Sequence, residues 1–163
     1  MKKKLSDNKG FVASDGLIAV LIIAIFTGII ATLLYNIYIS NTSIKRMSTA
    51  NNYIINILEF IDKIDYNDLD NTDILKENYE YLDDVEDFEN PEDEDLERMW
   101  VLEGNPTDNN GYTINIILDK YKLNEDTQDL VRQITVTVNY KLWNREQKIS
   151  IKHIRSLESL EIE

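Results

Sequence analysis

Hydrophobic and polar positions follow four successive patterns along this chain, and each predicts a different kind of element. Over residues 17–35 the chain is almost continuously apolar, relieved only by Thr27, Gly28 and Thr32. At a helical rise of ~1.5 Å per residue the run spans ~28 Å, about one bilayer hydrocarbon core. Beyond it Ile44, Met47, Tyr53, Ile54, Ile57, Leu58, Ile61 and Ile64 recur at threes and fours, with Asn51, Asn52, Asn56, Glu59, Asp62 and Lys63 between them. Such a stripe is helical and amphipathic. The two patterns together predict one helix over residues 14–64, loosened around 36–42, where polar and β-branched residues cluster. Asn36, Asn51 and Asn52 break any heptad, so a sheet, not a coiled coil, is the expected partner of the second half. Tyr35, Tyr38 and Tyr53 read as interfacial anchors and core packing.

The last third alternates with period two. Residues 100–102 predict a brief edge strand before the turn residues Gly104, Asn105, Pro106 and Thr107, and Asn110-Gly111 marks a second turn. Tyr112, Ile114, Ile116 and Leu118 share one face of a strand. In VRQITVTVNYKLW, Ile134, Val136, Val138, Tyr140 and Leu142 lie on one face, with Gln133, Thr135, Thr137, Asn139 and Lys141 on the other. A turn over 144–146 leads to a partner strand at 148–154. The expected assembly is a meander of three or four antiparallel strands, one face against the helix and the other solvated. The final LESLEIE reads as a frayed acidic tail.

Between helix and sheet, residues 65–98 are dense in acids and poor in apolar positions. Ile74, Leu75, Tyr79 and Leu82 predict a short helix or an irregular lid with a few inward anchors. Over 83–95 like charges repel and favour an exposed loop. A calcium loop needs alternating oxygen ligands about a central glycine. Asp65, Asn67 and Asp68 lack that spacing, and Asp108, Asn109, Asn110 and Gly111 form one turn fragment without a distal acid in register. A solvated acidic face is expected there, with no metal.

Composition narrows the chemistry. The 163 residues allow one modest soluble domain beyond the apolar segment. The formal charge is −13. Removing residues 1–10 takes four lysines and Asp7 from the 17 basic and 30 acidic residues, leaving 13 and 29 and a charge of −16. That balance argues against direct nucleic acid binding. No cysteine is present, which excludes disulfides, thiolate catalysis and thiolate metal sites. His153 is the single histidine and falls within an alternating strand; no serine sits in a nucleophile elbow, and five glycines form no phosphate loop. No enzyme activity and no cofactor are expected.

The N-terminus carries the functional signal. Lys2, Lys3, Lys4 and Lys9 precede Gly10 and Phe11, and Asp15 stands at the mouth of the apolar run. A secretory signal peptide has an apolar core of ~7–15 residues and a small-x-small exit, and this run is too long and lacks that exit. A plain signal anchor fits the hydropathy but explains neither Gly10 before an aromatic nor an acid where lipid contact is costly. The stretch KG-FVASD-GLIAVLII resembles the class III signal of type IV prepilins and pseudopilins over residues 9–40, with looser similarity to minor pilins in the C-terminal strands.

The resemblance implies cleavage between Gly10 and Phe11 by a prepilin peptidase, and methylation of the new Phe11 amine. Asp15 becomes mature position five, where the family normally has Glu, and VAS stands where TLI or similar is common. In a filament Asp15 would pair with the Phe11 ammonium of a neighbouring subunit and set register, beside any capping of its own helix with Ser14. The expected organisation is a cytoplasmic leader (1–10), an N-terminal helix (11–64, with 11–38 in membrane or filament core), an acidic variable loop region (65–99) and an antiparallel sheet head (100–163). This is an α+β, pilin-like lollipop, a long transmembrane or filament helix with a small antiparallel C-terminal sheet. Basic residues hold the leader inside, so the chain beyond 38 is expected outside. The implied partners are other pilin or pseudopilin subunits, the prepilin peptidase, assembly-platform proteins and, before assembly, membrane lipid. Identical acidic heads would repel, which favours a minor position in a type IV pilus, type II secretion or competence pseudopilus. The alternative is a signal-anchored extracytoplasmic binding or adhesion module. An envelope sensor subunit is a weaker third, since ten leader residues supply no output domain.

Overall fold

The computed structural model describes residues 7–106, 111–121 and 131–157, with side chains from residue 15 onward. The chain forms two compact units, Met1–Ile44 and Lys45–Glu163. Helix α1 (Asp7–Ile61) is 55 residues long and begins seven residues before the expected start. It does not loosen over 36–42. The hydroxyls of Thr27, Thr32 and Thr42 donate to the carbonyls of Ile23, Gly28 and Tyr38 at 2.8, 2.9 and 2.9 Å. Each polar side chain is thereby satisfied on the preceding turn and offers the backbone no rival conformation.

Within the second unit, a five-stranded antiparallel meander follows α1 in chain order: β1 (Leu82–Asp84), β2 (Leu96–Gly104), β3 (Tyr112–Tyr121), β4 (Val131–Leu142) and β5 (Arg145–Ser156). Ala50, Ile54, Ile57 and Ile61, spaced along one helical face, are buried against the sheet's inner face. Ile114, Ile116, Leu118, Ile134, Val136 and Val138 form the centre of that face and are fully buried. Each such side chain contributes about 1.5–3 kcal/mol on leaving water.

The end of α1 is finished from the sheet. No basic residue stands in its own last turn. Arg155 of β5 instead donates from Nη1 to the carbonyls of Ile61 and Ile64 at 2.8 and 2.9 Å. A cation there satisfies orphan carbonyls and suits the negative end of the helix. At the other end of the unit the Tyr112 hydroxyl donates to Arg46 O at 3.2 Å, and Arg46 donates to Lys141 O.

The acidic middle is more structured than its composition suggests. Asp65 caps a 3-10 turn (Tyr66–Asp68), and Asn71 caps the short helix α2 (Thr72–Asn78), each accepting from the backbone N–H two residues on. These acids and amides serve turns, the ordinary use of Asp and Asn at helix starts. Tyr66, Leu69, Leu75 and Leu82 reach the core, and Trp100 Nε1 donates to Leu69 O at 3.1 Å. Residues 83–95 stay mostly exposed.

Three strand expectations need correction. Among the described residues the sheet has five strands. The stretch around Trp100 is not a brief edge strand but lies within β2, between β1 and β3, because β1 supplies an outer neighbour. The outer face is also only partly solvated, since Asp119, Gln133 and Thr137 are buried there. A bulge sets up that face. Arg98 pairs with Asp119, but the next partners are Trp100 and Leu118, so Met99 is an extra residue. A one-residue slip exchanges faces, sending Arg98 outward and Trp100 into the core.

Gly104 meets the tightest steric demand. A Cβ built there would lie 1.8 Å from Tyr81 O, where β1 crosses against the end of β2. Gly104→Ala is therefore expected to cost about 1–3 kcal/mol through a forced backbone shift. Thermal unfolding of the full chain should show a lower midpoint than for Gly28→Ala, whose Cβ meets nothing within 4 Å.

Candidate functional site

Gly10 and Phe11 lie in the first turns of α1, and their side chains fall outside the described residues. Asp15 is exposed on the same helix. The partner expected for its carboxylate belongs to a neighbouring subunit, so a single chain brings together none of these three residues as a formed site. The tail past residue 157 and the Asp108, Asn109 and Asn110 fragment also lie outside the described residues.

The first unit presents an apolar surface with no cover of its own. Every large apolar side chain from Leu17 to Tyr38 is at least 46% exposed. Among the described residues, one helix is long and apolar enough to cross a membrane. A feature of this surface was missed in the sequence pattern, where Gly28 and Thr32 counted only as relief. Ala24, Gly28 and Thr32 are spaced by four residues, so they lie along one face. Around Gly28 this leaves a groove of about 460 Å³ flanked by Ile25, Ile29, Thr32 and Leu33. Glycine inside a helix is about 1 kcal/mol less favourable than alanine, and nothing in the chain crowds Gly28. Small residues at four-residue spacing let a second helix approach closely in lipid.

The second unit carries a polar cluster on the outer face of its sheet. Arg98 Nε donates to Asp119 Oδ1 at 2.9 Å, with the side chains 16% and 4% exposed. Arg98 Nη1 also donates to Glu89 O at 2.7 Å, which ties the acidic segment down beside β2. Next to the pair, Tyr121 donates its hydroxyl proton to Gln133 Oε1 at 3.2 Å. An open cleft of about 530 Å³ lies over these residues, with Glu92 and Asp93 on one lip and Lys148 and Lys152 on the other. Acids and bases there are arranged as opposed surfaces, and the floor is Ile117, Gln133 and Thr135.

Elsewhere the charged groups hold elements together. His153 Nε2 lies 2.8 Å from Asp62 Oδ1 and joins β5 to the segment after α1, a contact between residues too distant in sequence for periodicity to reveal. Arg132 stacks over the Tyr66 ring at 5.4 Å and reaches both carboxylate oxygens of Asp70 at 3.3 and 3.4 Å. Lys76 bridges Asp84 and Asp73 at 2.6 and 3.1 Å. Its hydrogen bond holds the Asp84 carboxyl below the usual carboxylate range, and Asp84 with Asp73 raises the Lys76 ammonium. Among the described residues, no three His, Cys, Asp or Glu side chains converge as a metal site.

Fold and surface together define a small antiparallel β-sheet domain joined to an apolar helix of membrane-spanning length. Comparison with protein-family models, curated proteins and solved structures finds no match for this chain.

The Arg98–Asp119 pair gives the outer face its test. Asp119→Ala would strand a largely buried guanidinium and is expected to destabilise by about 3–5 kcal/mol. Asp84→Ala, which removes an exposed ion pair, should be nearly silent. Parallel urea titrations of the two variants measure the difference.

Proposed function

We propose that this chain is a structural subunit, a minor pilin or pseudopilin, of a cell-envelope filament of the type IV pilus, type II secretion or competence kind. The observation that carries the reading is the uncovered apolar helix with an open small-residue face. Its apolar run opens just past Asp15, which stands five residues after Gly10. Lipid alone would be satisfied by an apolar surface of any shape. A glycine groove adds the capacity for close helix–helix contact, as a bundle of like helices requires.

In this reading a prepilin peptidase cuts after Gly10 and removes the leader lysines while leaving the apolar helix whole. The subunit then waits in the bilayer as a single-pass protein. An assembly platform draws it into a bundle of neighbouring subunits, where helix packing replaces lipid contact. Asp15 meets the Phe11 ammonium of the next subunit there. Removing either charge would leave the other buried and costly, so the pair selects register. The second unit is carried to the outside of the cell or its envelope.

Mass spectrometry of protein from its own host should find a mature N-terminus at Phe11, with the amine methylated. An intact leader, or a cut beyond Tyr38, would replace this reading with an anchored or secreted binding module. A second measurement addresses the bundle. Gly28→Leu fills the groove without touching the sheet, so it should reduce incorporation into sheared filaments roughly tenfold while the protein still inserts in membrane. Undiminished incorporation would move the contact face away from Gly28.

A further inference from the structure

Two contacts fix how the last two strands run beside α1. Arg46 donates to Lys141 O near the start of the second unit, and His153 Nε2 lies 2.8 Å from Asp62 Oδ1, one residue past the end of α1. His153 pairs with Ile134 across β4 and β5. From 46 to 62 is sixteen residues of helix, about 24 Å, and from 134 to 141 is seven residues of strand, about 23 Å. The matching lengths mean that β4 lies nearly along the helix and runs opposite to it. The turn between β4 and β5 therefore projects past Arg46, at the end of the unit where the chain enters.

That turn carries a residue suited neither to its backbone nor to water. Leu142 pairs with Arg145, so Trp143 and Asn144 alone make the connection. Trp143 has φ 61°, a left-handed conformation that ordinarily falls to glycine or asparagine, and it is 52% exposed. A glycine would relieve the backbone, and a polar residue would suit solvent. An indole gains instead where one side is apolar and the other wet, as at a bilayer interface. Around it the charge reverses. Residues 141–146 carry Lys141, Arg145 and Glu146, and residues 45–50 carry Lys45 and Arg46, a balance of +3 in a chain of −13. Lys45, Lys141 and Arg145 are exposed and make no ion pair among the described residues.

We infer that this corner of the second unit docks on the anionic headgroups of the membrane that holds the apolar run. Tyr35 ends that run, and ten residues of α1 lead from it to Lys45, about 15 Å of helix. Headgroups occupy roughly the first 5–7 Å of that distance. The rest is about one Debye length at physiological salt, so the bases feel the lipid charge. Trp143 enters the interface, and Lys45, Lys141 and Arg145 meet lipid phosphates. The acidic segment 83–95 is repelled by the same lipids, so the contact has one orientation, with the β4–β5 turn against the membrane. This goes beyond the filament reading and does not rest on it, since a membrane-held helix is all that it requires.

The chain has no cysteine, so Asn144→Cys gives one site for an environment-sensitive fluorophore within the turn. The labelled full chain is reconstituted in phosphatidylcholine vesicles with or without phosphatidylglycerol, and only chains that resist carbonate extraction are scored. Emission should shift to the blue with phosphatidylglycerol, and the docked fraction should fall roughly tenfold without it or in about 0.5 M salt. Lys141→Glu/Arg145→Glu should lose the shift. Lys148→Glu/Lys152→Glu, an equal charge change farther along β5, should retain it. Trp143→Gly should also lose it while the sheet stays folded, since glycine suits φ 61° and the buried Trp100 still reports the core. Equal emission with and without phosphatidylglycerol would leave the turn in water and overturn the inference. So would an equal loss in the Lys148 and Lys152 variant, which would make net charge responsible and not this corner. The vesicles hold no peptidase, so the outcome stands apart from the Gly10–Phe11 cut.

Discussion

Ala50, Ile54, Ile57 and Ile61 lie flat on the inner face of the sheet, and the second unit is built on that contact. With no cysteine in the chain, no disulfide can substitute for packing in a domain of this size. The polar contacts follow the same line. Tyr112 reaches the backbone of Arg46, Tyr79 donates to Asn56 O, and Arg155 reaches the carbonyls of Ile61 and Ile64. Side chains from the sheet and its flanking segment thus grip the part of the helix that belongs to this unit, and each is paired because a buried polar group left alone would be costly.

The first part of α1 meets the opposite condition. Its apolar side chains have no partner surface in their own unit, so their stability depends on what surrounds them: lipid, neighbouring helices, or both in turn. One helix therefore serves two solvents. The threonines within it are compatible with either, because they satisfy their hydroxyls on the preceding turn. Gly28 is the position that distinguishes the two environments, since only a close neighbour makes its missing side chain useful.

On the sheet, a single extra residue in β2 decides how charge is disposed. The Met99 bulge puts Arg98 on the face of Asp119, and Arg98 then holds the Glu89 carbonyl and with it the acidic segment. There Glu92 and Asp93 of that segment face Lys148 and Lys152 of β5 across one cleft. A net charge describes neither fact. The resulting surface carries opposed acidic and basic regions, the kind of pattern that gives specificity and orientation to an association.

The apolar run, the helical stripe and the alternation of β3 and β4 were legible because each repeats over many residues, and burial follows that repetition at Ile54, Ile57, Ile116, Val136 and Val138. The α+β architecture followed from those periods alone. The four-residue spacing about Gly28 was equally present, though its meaning needed the open groove. Other features had no local signal. β1 spans three residues, too few for a period, and β2 changes phase at its bulge, so only pairing reveals their order. Arg155 at the end of α1 and His153 beside Asp62 join residues about ninety positions apart. Sequence by itself determined which segments would be helix or strand and which face of each would be apolar, because these depend on repeats within one element. Tertiary structure alone decided the strand order, the partners of the charges and the cleft where acids and bases face each other, because those depend on which distant residues the closing of the core brings together.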